Sequence, residues 1–273
     1  MTRRRAALMV VVLLTLALAA AIAAPLGRIG LTEAVSAGAT ADALRHRLAM
    51  ESVVTLLPHW IRDDQRIRDD LDRYNQATLQ FVVGGVAVQV LLQDDSAKLP
   101  VAALVRSRNE IWLDAALARL QTGSSRAPLR RVATPTHGLA CLDDLFLAAT
   151  DDDLFGKTTQ SPGWSGVLTP LGETINLGRA APDVVAAALS DLDPRVAEQV
   201  FKAWRRSDRT DLTPILATVS GPTAERLARR FAIGTTRYSL LVRTTLGDDV
   251  RRRYWVCTAD EAPVVLVDWE VAP

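Results

Sequence analysis

A strongly apolar stretch opens the chain, because no charged residue interrupts Ala6 to Ala24. A helix of this length reaches roughly 30 Å, about the thickness of the hydrocarbon core of a bilayer. Three arginines, Arg3 to Arg5, precede the stretch and only Arg28 follows closely, which favours a cytoplasmic N-terminus. The pattern predicts a retained membrane-spanning helix, although the small residues from Ala21 to Ala23 also suit removal by a signal peptidase.

A second helical pattern follows the apolar stretch. Apolar residues recur at helical spacing from Leu31 to Leu57, and Pro58 is expected to end the pattern. We therefore predict a basic flank and transmembrane helix over residues 1–27. Residues 28–75 are expected to continue this helix as a rod that packs against a folded domain.

Alternating apolar positions appear next. The segments LQFVV and VAVQVLL flank Gly84-Gly85, a pair that suits the positive φ angles of a tight hairpin turn. Three further strands are predicted from Tyr238 to the C-terminus. We expect one antiparallel sheet formed by residues 76–95 and 236–273, with residues 96–235 as an inserted helical domain. The predicted fold class is α+β, with a long N-terminal helix.

Helical spacing dominates the insertion. Ile111 to Leu120 is predicted to be a helix with its apolar residues on roughly one side, namely Ile111, Leu113, Ala116, Leu117 and Leu120. Residues 174–206 read as two helices joined by a short turn, a segment like a helix-hairpin-helix. Pro182 and Pro194 suit the first turns of these helices, and Asp193 suits a cap.

Composition is that of a folded protein without a strong electrostatic preference. Of the 273 residues, 49% are hydrophobic and 23% charged, and the formal net charge is +1. Such a charge gives no reason to expect a nucleic acid as partner. None of His46, His59 and His137 has the spacing of a catalytic base or a metal ligand. We predict no catalytic residue and no metal site.

The two cysteines, Cys141 and Cys257, lie far apart in sequence and belong to no metal-binding pattern. In an oxidising compartment they are candidates for one disulfide. Two separate buried thiols explain them equally well, so both interpretations stay open.

Two segments resemble a known family. One is QDDSAK from Gln93 to Lys98, directly after the hairpin. The other reads INLGRAAPDVVAA and contains Ile175, Asn176, Leu177, Ala180 and Pro182. Together with the order of the elements, they resemble general secretion pathway protein K, the family of large minor pseudopilins of the type II secretion system.

The resemblance implies a function in assembly. It implies a single-pass inner-membrane protein with a periplasmic domain that caps or initiates the pseudopilus during protein export. Its partners would be other minor pseudopilins and inner-membrane secretion components. Prepilin peptidase cuts family members near the apolar helix, and Arg5, Ala6 and Ala7 occupy that region here. No cofactor is expected, apart from calcium, which binds in some relatives.

The resemblance also concerns the absence of a glutamate. Most pseudopilins carry one near the start of the apolar helix to pair with a neighbouring subunit, and protein K lacks it. In this chain no acidic residue precedes Glu33. The resemblance therefore implies a place at the tip of the pseudopilus.

An alternative function follows from the helical hairpin. It also resembles the helix-hairpin-helix modules of membrane-anchored DNA-uptake proteins, which bind phosphates through a glycine-rich turn. Here the turn contains Asp191 and Asp193 and no glycine. Two carboxylates would repel a phosphate backbone, so we favour the assembly function.

Overall fold

The computed structural model describes residues 2–106, 110–122, 130–131, 142, 144, 146–147, 149–156 and 163–271. The chain divides into two compact units, Met1–Leu48 and Ala49–Pro273. The first unit is helical, and its side chains are described at positions 21, 23 and 28 and from position 30 onward. The second unit contains all the strands that the structure describes.

Helix α1 spans Thr2–Asp63 and passes through Pro58. The prediction that Pro58 ends the helix is therefore wrong. A proline inside a helix removes one hydrogen bond and disfavours the preceding turn. Here Val53 and Leu57 on the same turns are fully buried in the core beside the sheet. Packing of this face outweighs the local cost.

The helix ends instead at Asp63, and Asp64 separates it from the next helix. The Asp64 side chain accepts a hydrogen bond from the Ile67 amide at 3.2 Å and caps helix α2, Gln65–Tyr74. Asn75 then ends α2 in the left-handed region, with φ 55°. The first strand of the sheet begins at the next residue, Gln76.

The predicted hairpin is confirmed. Strands β1 (Gln76–Val83) and β2 (Val86–Asp94) pair antiparallel. Gly84 and Gly85 form the turn with φ angles of 56° and 82°, a conformation that favours glycine at both positions.

Short elements fill the chain between β2 and the C-terminal strands. In chain order they are β3 (Leu99–Pro100), α3 (Val101–Arg106), α4 (Glu110–Gln121), β4 (Arg130–Arg131), β5 (Phe146–Leu147), α5 (Asp151–Phe155), β6 (Leu168–Thr169), β7 (Ile175–Asn176), α6 (Pro182–Ala188), α7 (Pro194–Arg206), α8 (Thr213–Leu216), α9 (Pro222–Arg230) and β8 (Phe231–Ala232). Helices α6 and α7 are the predicted helical hairpin, with Pro182 and Pro194 in their first turns. Helix α4 has the predicted position, but Ile111 does not share a side with the other apolar residues: it is 85% exposed, whereas Leu113, Ala116, Leu117 and Leu120 are buried.

Three C-terminal strands complete the main sheet. They are β9 (Arg237–Leu246), β10 (Asp249–Thr258) and β11 (Val265–Val271). The strand order is β1-β2-β9-β10-β11, and every neighbouring pair is antiparallel. The N-terminal hairpin and the C-terminal meander thus form one sheet, as the sequence predicted, with the short elements inserted between β2 and β9.

Each face of the sheet has its own core, because side chains alternate along a strand. One core combines α1 and α2 with sheet residues such as Val90, Leu240 and Val242. The other combines the inserted helices with Leu91, Leu241 and Val256 from the same strands. The sheet is therefore the middle layer of the second unit, and β2 and β9 contribute to both cores.

Candidate functional site

The two family-like segments meet in the folded chain, although they lie about eighty residues apart. Asp94 is the last residue of β2 and Asn176 is the last residue of β7. The Asn176 Nδ2 donates a hydrogen bond to Asp94 Oδ2 at 2.8 Å. We call this place the junction, defined by Asp94, Asp95, Lys98 and Asn176. It joins the end of the hairpin to the inserted helices.

Asn176 holds several backbone segments in place. Its Oδ1 accepts hydrogen bonds from the amides of Gly178 at 3.0 Å and Gly234 at 3.1 Å. Asn176 is the end of β7, which pairs parallel with β8, so the amide binds both chain segments that follow this small sheet. A buried side-chain amide satisfied on both its oxygen and its nitrogen fixes its surroundings.

Asp94 is a fully buried carboxylate with several hydrogen-bond donors. Its Oδ2 accepts from Asn176 and from the Thr235 hydroxyl, and its Oδ1 accepts from the Ser96 amide at 2.9 Å. The Arg179 guanidinium lies 3.9 Å from the carboxylate. Burial raises the pKa of Asp94 above its ordinary value, and the hydrogen bonds and Arg179 oppose this shift.

Asn75 fixes the backbone of the same residue. Its Oδ1 accepts from the Asp94 amide at 3.2 Å and its Nδ2 donates to the Asp94 carbonyl at 3.4 Å. The end of α2 is thus bound to the end of β2. The junction therefore connects three parts of the second unit: the N-terminal helices, the sheet and the insertion.

Lys98 lies at the centre of the other half of the junction and has no exposed surface. Its Nζ donates to the Ser165 carbonyl at 2.5 Å and to the Ser239 hydroxyl at 2.6 Å, and lies 3.5 Å from Asp95 Oδ1. The other Asp95 oxygen accepts from the Thr169 hydroxyl at 2.6 Å. Burial lowers the pKa of Lys98, and the Asp95 charge acts against that shift.

The junction has residue types found in catalytic sites. Lys98 and Ser239 are hydrogen-bonded like a serine–lysine pair, in which the lysine activates the serine. Both side chains are at most 1% exposed, so a substrate does not reach them in this conformation. Hydrogen bonding and charge pairing instead stabilise the contact between sheet and insertion.

The remaining family-like residues pack around the junction. Ile175, Leu177 and Ala180 are buried in the core on the insertion side of the sheet, and the Leu177 carbonyl accepts a hydrogen bond from Trp204 Nε1 at 3.1 Å. Pro182 begins α6. Each of these residues has a structural place, and none lines an exposed site.

Sequence reasoning missed several members of the junction. Arg179, Thr235 and Ser239 bind its carboxylates and its lysine from other parts of the chain. The consecutive threonines Thr235 and Thr236 directly before β9 were an available signal, because hydroxyls at a strand end often bind nearby backbone or carboxylate groups.

The turn of the helical hairpin is closed by an ion pair. Arg230 donates to Asp191 Oδ1 at 2.7 Å and to Oδ2 at 2.9 Å, and its guanidinium lies 3.6 Å from the centre of the Trp112 ring. Burial raises the pKa of Asp191, but the hydrogen bond and charge of Arg230 outweigh it and lower the pKa overall. Asp193 caps α7 through the Arg195 amide, as predicted. Arg230 thus joins α9 to the turn and to α4.

Several predictions concern residues whose surroundings are not described. Arg5, Ala6 and Ala7 lie in α1, and their side chains are outside the described part, so the processing region stays a prediction. Cys257 is buried, and burial raises its pKa to about 12. Cys141 lies outside the described residues, and the disulfide stays a prediction too.

The structure gives the positions of His46, His59 and Asp153, whereas His137 lies outside the described residues. His59 is exposed and lies 3.2 Å from Asp63, whereas His46 is buried. Asp153 forms a capping box with Thr150 at the start of α5. Among the residues whose positions are given, no group of three or more His, Cys, Asp or Glu side chains is placed to hold a metal. Calcium stays an expectation of the resemblance.

A search of the described residues finds no helix that combines the length and the apolar content for crossing a membrane.

A solved structure shares this fold. It is a chain of "The Crystal Structure of the GspK-GspI-GspJ complex from enterotoxigenic Escherichia coli Type 2 Secretion System". The match covers 88% of this chain and 100% of that chain, with a TM-score of 0.52 and 14% sequence identity. No protein-family model matches the sequence, and a comparison with curated proteins finds no match. At this sequence identity, the likeness concerns the fold alone.

Proposed function

We propose that the chain is a minor pseudopilin-like subunit of a type II secretion system that caps or initiates the pseudopilus. One observation carries this proposal. The fold extends over the whole of a chain from a complex of that system and over 88% of this chain. A likeness that extends over 88% of this chain is not limited to one common motif.

The junction supports the proposal in a second way. The segments that resemble protein K, QDDSAK and the INL segment, are bound to each other by the 2.8 Å contact of Asp94 with Asn176. In this chain the two segments thus attach the insertion to the sheet. Its reactive side chains are buried, which suits a subunit that acts without chemistry of its own.

The proposed location is the inner membrane, with the N-terminus in the cytoplasm and the main domain in the periplasm. The uncharged run Ala6 to Ala24 and the arginines before it support this placement. In the membrane the apolar helix would pack beside the helices of other minor pseudopilins, where close van der Waals contact supplies the attraction. Inner-membrane secretion components and prepilin peptidase are proposed as further partners.

The place at the tip rests on the absence of a carboxylate. No acidic residue precedes Glu33, so the start of the helix cannot offer a carboxylate to the N-terminus of a neighbouring subunit. A subunit without this group suits the end of a helical stack. It would form the cap, or the first layer, on which the pseudopilus grows.

Co-purification from membranes tests the proposal. The full chain with a C-terminal tag is expressed in cells with the secretion system and isolated, and mass spectrometry identifies its partners. We expect minor pseudopilins with the full chain and none after deletion of Ala6 to Ala24. A variant with an unrelated apolar helix of equal length separates membrane attachment from helix packing, and it should also lose the partners. Equal recovery with the deletion variant would refute the anchor-dependent assembly.

The alternative function in DNA uptake has no support from the comparisons. In the helical hairpin Asp191 stays in the turn as the partner of Arg230, which leaves a carboxylate where a phosphate would bind. Salt-dependent binding of duplex DNA by the full chain would reverse this preference.

A further inference from the structure

An apolar groove lies on the inserted helices, between α4 on one side and α6 and α7 on the other. Its volume is about 540 Å³, which is in the range of ligand-binding clefts. Most of its lining is small or apolar, as shown by Ala115, Ala118, Leu189, Ala197 and Phe201. Small side chains on both walls leave room for the backbone of a partner helix to approach closely.

The exposed isoleucine of α4 extends this surface. Ile111, Ala115, Ala118 and Thr122 follow each other at helical spacing, so they lie along one face of α4. The last three line the groove, and Ile111 is 85% exposed at the end of the same face. An exposed large apolar side chain in line with an apolar groove is typical of a surface that binds another protein.

The described carboxylates around the groove are already engaged. Glu198 at the rim binds Lys202 at 2.7 Å, Asp193 caps α7, and Asp191 binds Arg230. Asp114 on α4 also takes part in an interaction. Of these acids, Glu198 lines the groove itself, and the charge of Lys202 balances it.

Two arginines place positive charge beside the groove. Arg119 lines the groove and is exposed, and among the described residues it forms no ion pair. On the opposite wall, Arg205 lies one turn beyond Phe201, with its guanidinium 5.7 Å from the centre of that ring. Both rims thus present positive charge next to an apolar floor. The complementary ligand is apolar on one face and acidic along its edges.

We propose that this groove binds an acidic amphipathic helix of a partner protein. The apolar face of that helix would lie on the alanines and Phe201, and its carboxylates would pair with Arg119 and Arg205. The inference uses only the surface of the insertion and goes beyond the assembly function. Its test measures peptide affinity, so its failure and the failure of the proposed function are distinguishable.

The test uses two synthetic helical peptides of fifteen or so residues with the same leucine and alanine face. One carries glutamates along both edges and the other carries lysines at the same positions. Their binding to the full chain in lipid nanodiscs is measured by fluorescence anisotropy, with empty nanodiscs as blank. We expect the acidic peptide to bind about tenfold more tightly than the basic peptide, because opposite charges flank the groove.

Three variants locate the binding. Arg119→Glu should weaken the acidic peptide about tenfold and strengthen the basic one. Ala118→Trp, at an exposed position of α4, should block both peptides by filling the groove. Arg66→Glu on α2 is the matched control, since Arg66 is also exposed, and it should change neither affinity. Circular dichroism of each variant verifies the fold.

Three results would overturn the proposal. The first is equal affinity for both peptides, and the second is unchanged binding to Ala118→Trp. The third is that neither peptide binds, which is expected if the chain itself or a second copy covers the groove. If the nanodisc particle with Ala118→Trp then had a different molecular mass from the particle with the wild-type chain, the occupant would be a second copy of the chain.

Discussion

Asn176 and Asp94 form the contact on which the attachment of the insertion depends most. The amide donates to the carboxylate and accepts from two backbone amides, so each of its polar atoms has a partner in a buried place. If one partner were removed, the remaining buried polar atoms would lack a hydrogen bond. The free-energy cost of such unsatisfied atoms exceeds the net stabilisation that one hydrogen bond provides. All six tryptophans lie in the second unit, so their fluorescence reports its unfolding.

Replacement of Asn176 by leucine tests this contact. We expect the free energy of unfolding to fall by about 2–4 kcal/mol, because Asp94 and two backbone amides lose a hydrogen-bond partner. Urea unfolding followed by tryptophan fluorescence measures the change. The matched control is Gln199→Leu at an exposed position of α7, with an expected change within about 0.5 kcal/mol. Similar small losses in both variants would contradict the role of Asn176.

The pH dependence of stability tests the state of Asp94. Burial raises its pKa in the folded chain above the ordinary 3.8, so the folded state binds the proton more tightly than the unfolded state. The stability that Asp94 contributes is present below 3.8 and is lost as the pH rises through the raised pKa. Asparagine at this position does not titrate. The free energy of unfolding of Asp94→Asn, relative to that of the wild type, should therefore rise as the pH increases from acid to neutral.

Asp211 provides the control with the opposite sign. It is exposed, and hydrogen bonds from the backbone and side chain of Thr213 lower its pKa. Its contribution should therefore be present above its ordinary pKa and be lost as the pH falls. Urea unfolding of both Asp→Asn variants across the acid range measures the two slopes. If both slopes had the same sign, burial would not dominate at Asp94.

At the scale of elements, turns and helix contacts determine how the layers join. The hairpin turn requires two residues with positive φ, and Gly84 and Gly85 supply them. Helix α9 is fixed differently, because the side chain of Arg230 binds Asp191 and contacts Trp112. The hairpin thus depends on the conformational freedom of glycine, whereas the position of α9 depends on the buried guanidinium of Arg230.

Alanine at Gly85 tests the turn. We expect a loss of about 1 kcal/mol, because the φ of 82° is unfavourable for a residue with a Cβ. The measurement is the urea midpoint of the second unit. Gln80→Ala in β1 is the control, since Gln80 is an exposed residue of the same hairpin with ordinary strand geometry, and the expected change is within about 0.5 kcal/mol. A loss at Gln80 equal to that at Gly85 would contradict the explanation by turn geometry.

Lysine at Arg230 tests the attachment of α9. The variant keeps the charge but loses the two parallel hydrogen bonds and the stacking on Trp112, with an expected cost of about 2 kcal/mol. Arg229→Lys on the same helix is the control, because Arg229 is exposed and its ion pair with Glu225 is long, at 4.0 Å. Equal unfolding midpoints for the two variants would show that Arg230 has no special role.

At the scale of the whole molecule, local patterns predicted the sheet well. Alternation and the Gly84-Gly85 pair indicated the hairpin, and the C-terminal strands were recognisable from the same alternation. The end of α1 was mispredicted because the penalty for Pro58 is local, whereas the burial of Leu57 depends on the sheet. Ile111 was mispredicted for a related reason, since spacing indicates an apolar face but not what covers it.

The junction was only partly accessible from the sequence. Its two halves were each recognised, but periodicity carries no information about contacts between distant segments. The binding of Asp94 by Asn176 and Thr235 depends on how β7 and β9 enter the fold. The proposed function combines both levels: resemblance in short segments, and a fold shared over nearly the full chain.

Photocrosslinking in cells tests the assembly function most directly. A photoreactive amino acid is placed at Val35 on α1, which is 66% exposed, and at the exposed Thr210 as a control. We predict that Val35 gives an adduct with another minor pseudopilin in the membrane fraction, because helices of such subunits pack side by side. Thr210 should not give this adduct. If Val35 gave no pseudopilin adduct in cells with an active secretion system, the account of an assembly subunit would be contradicted.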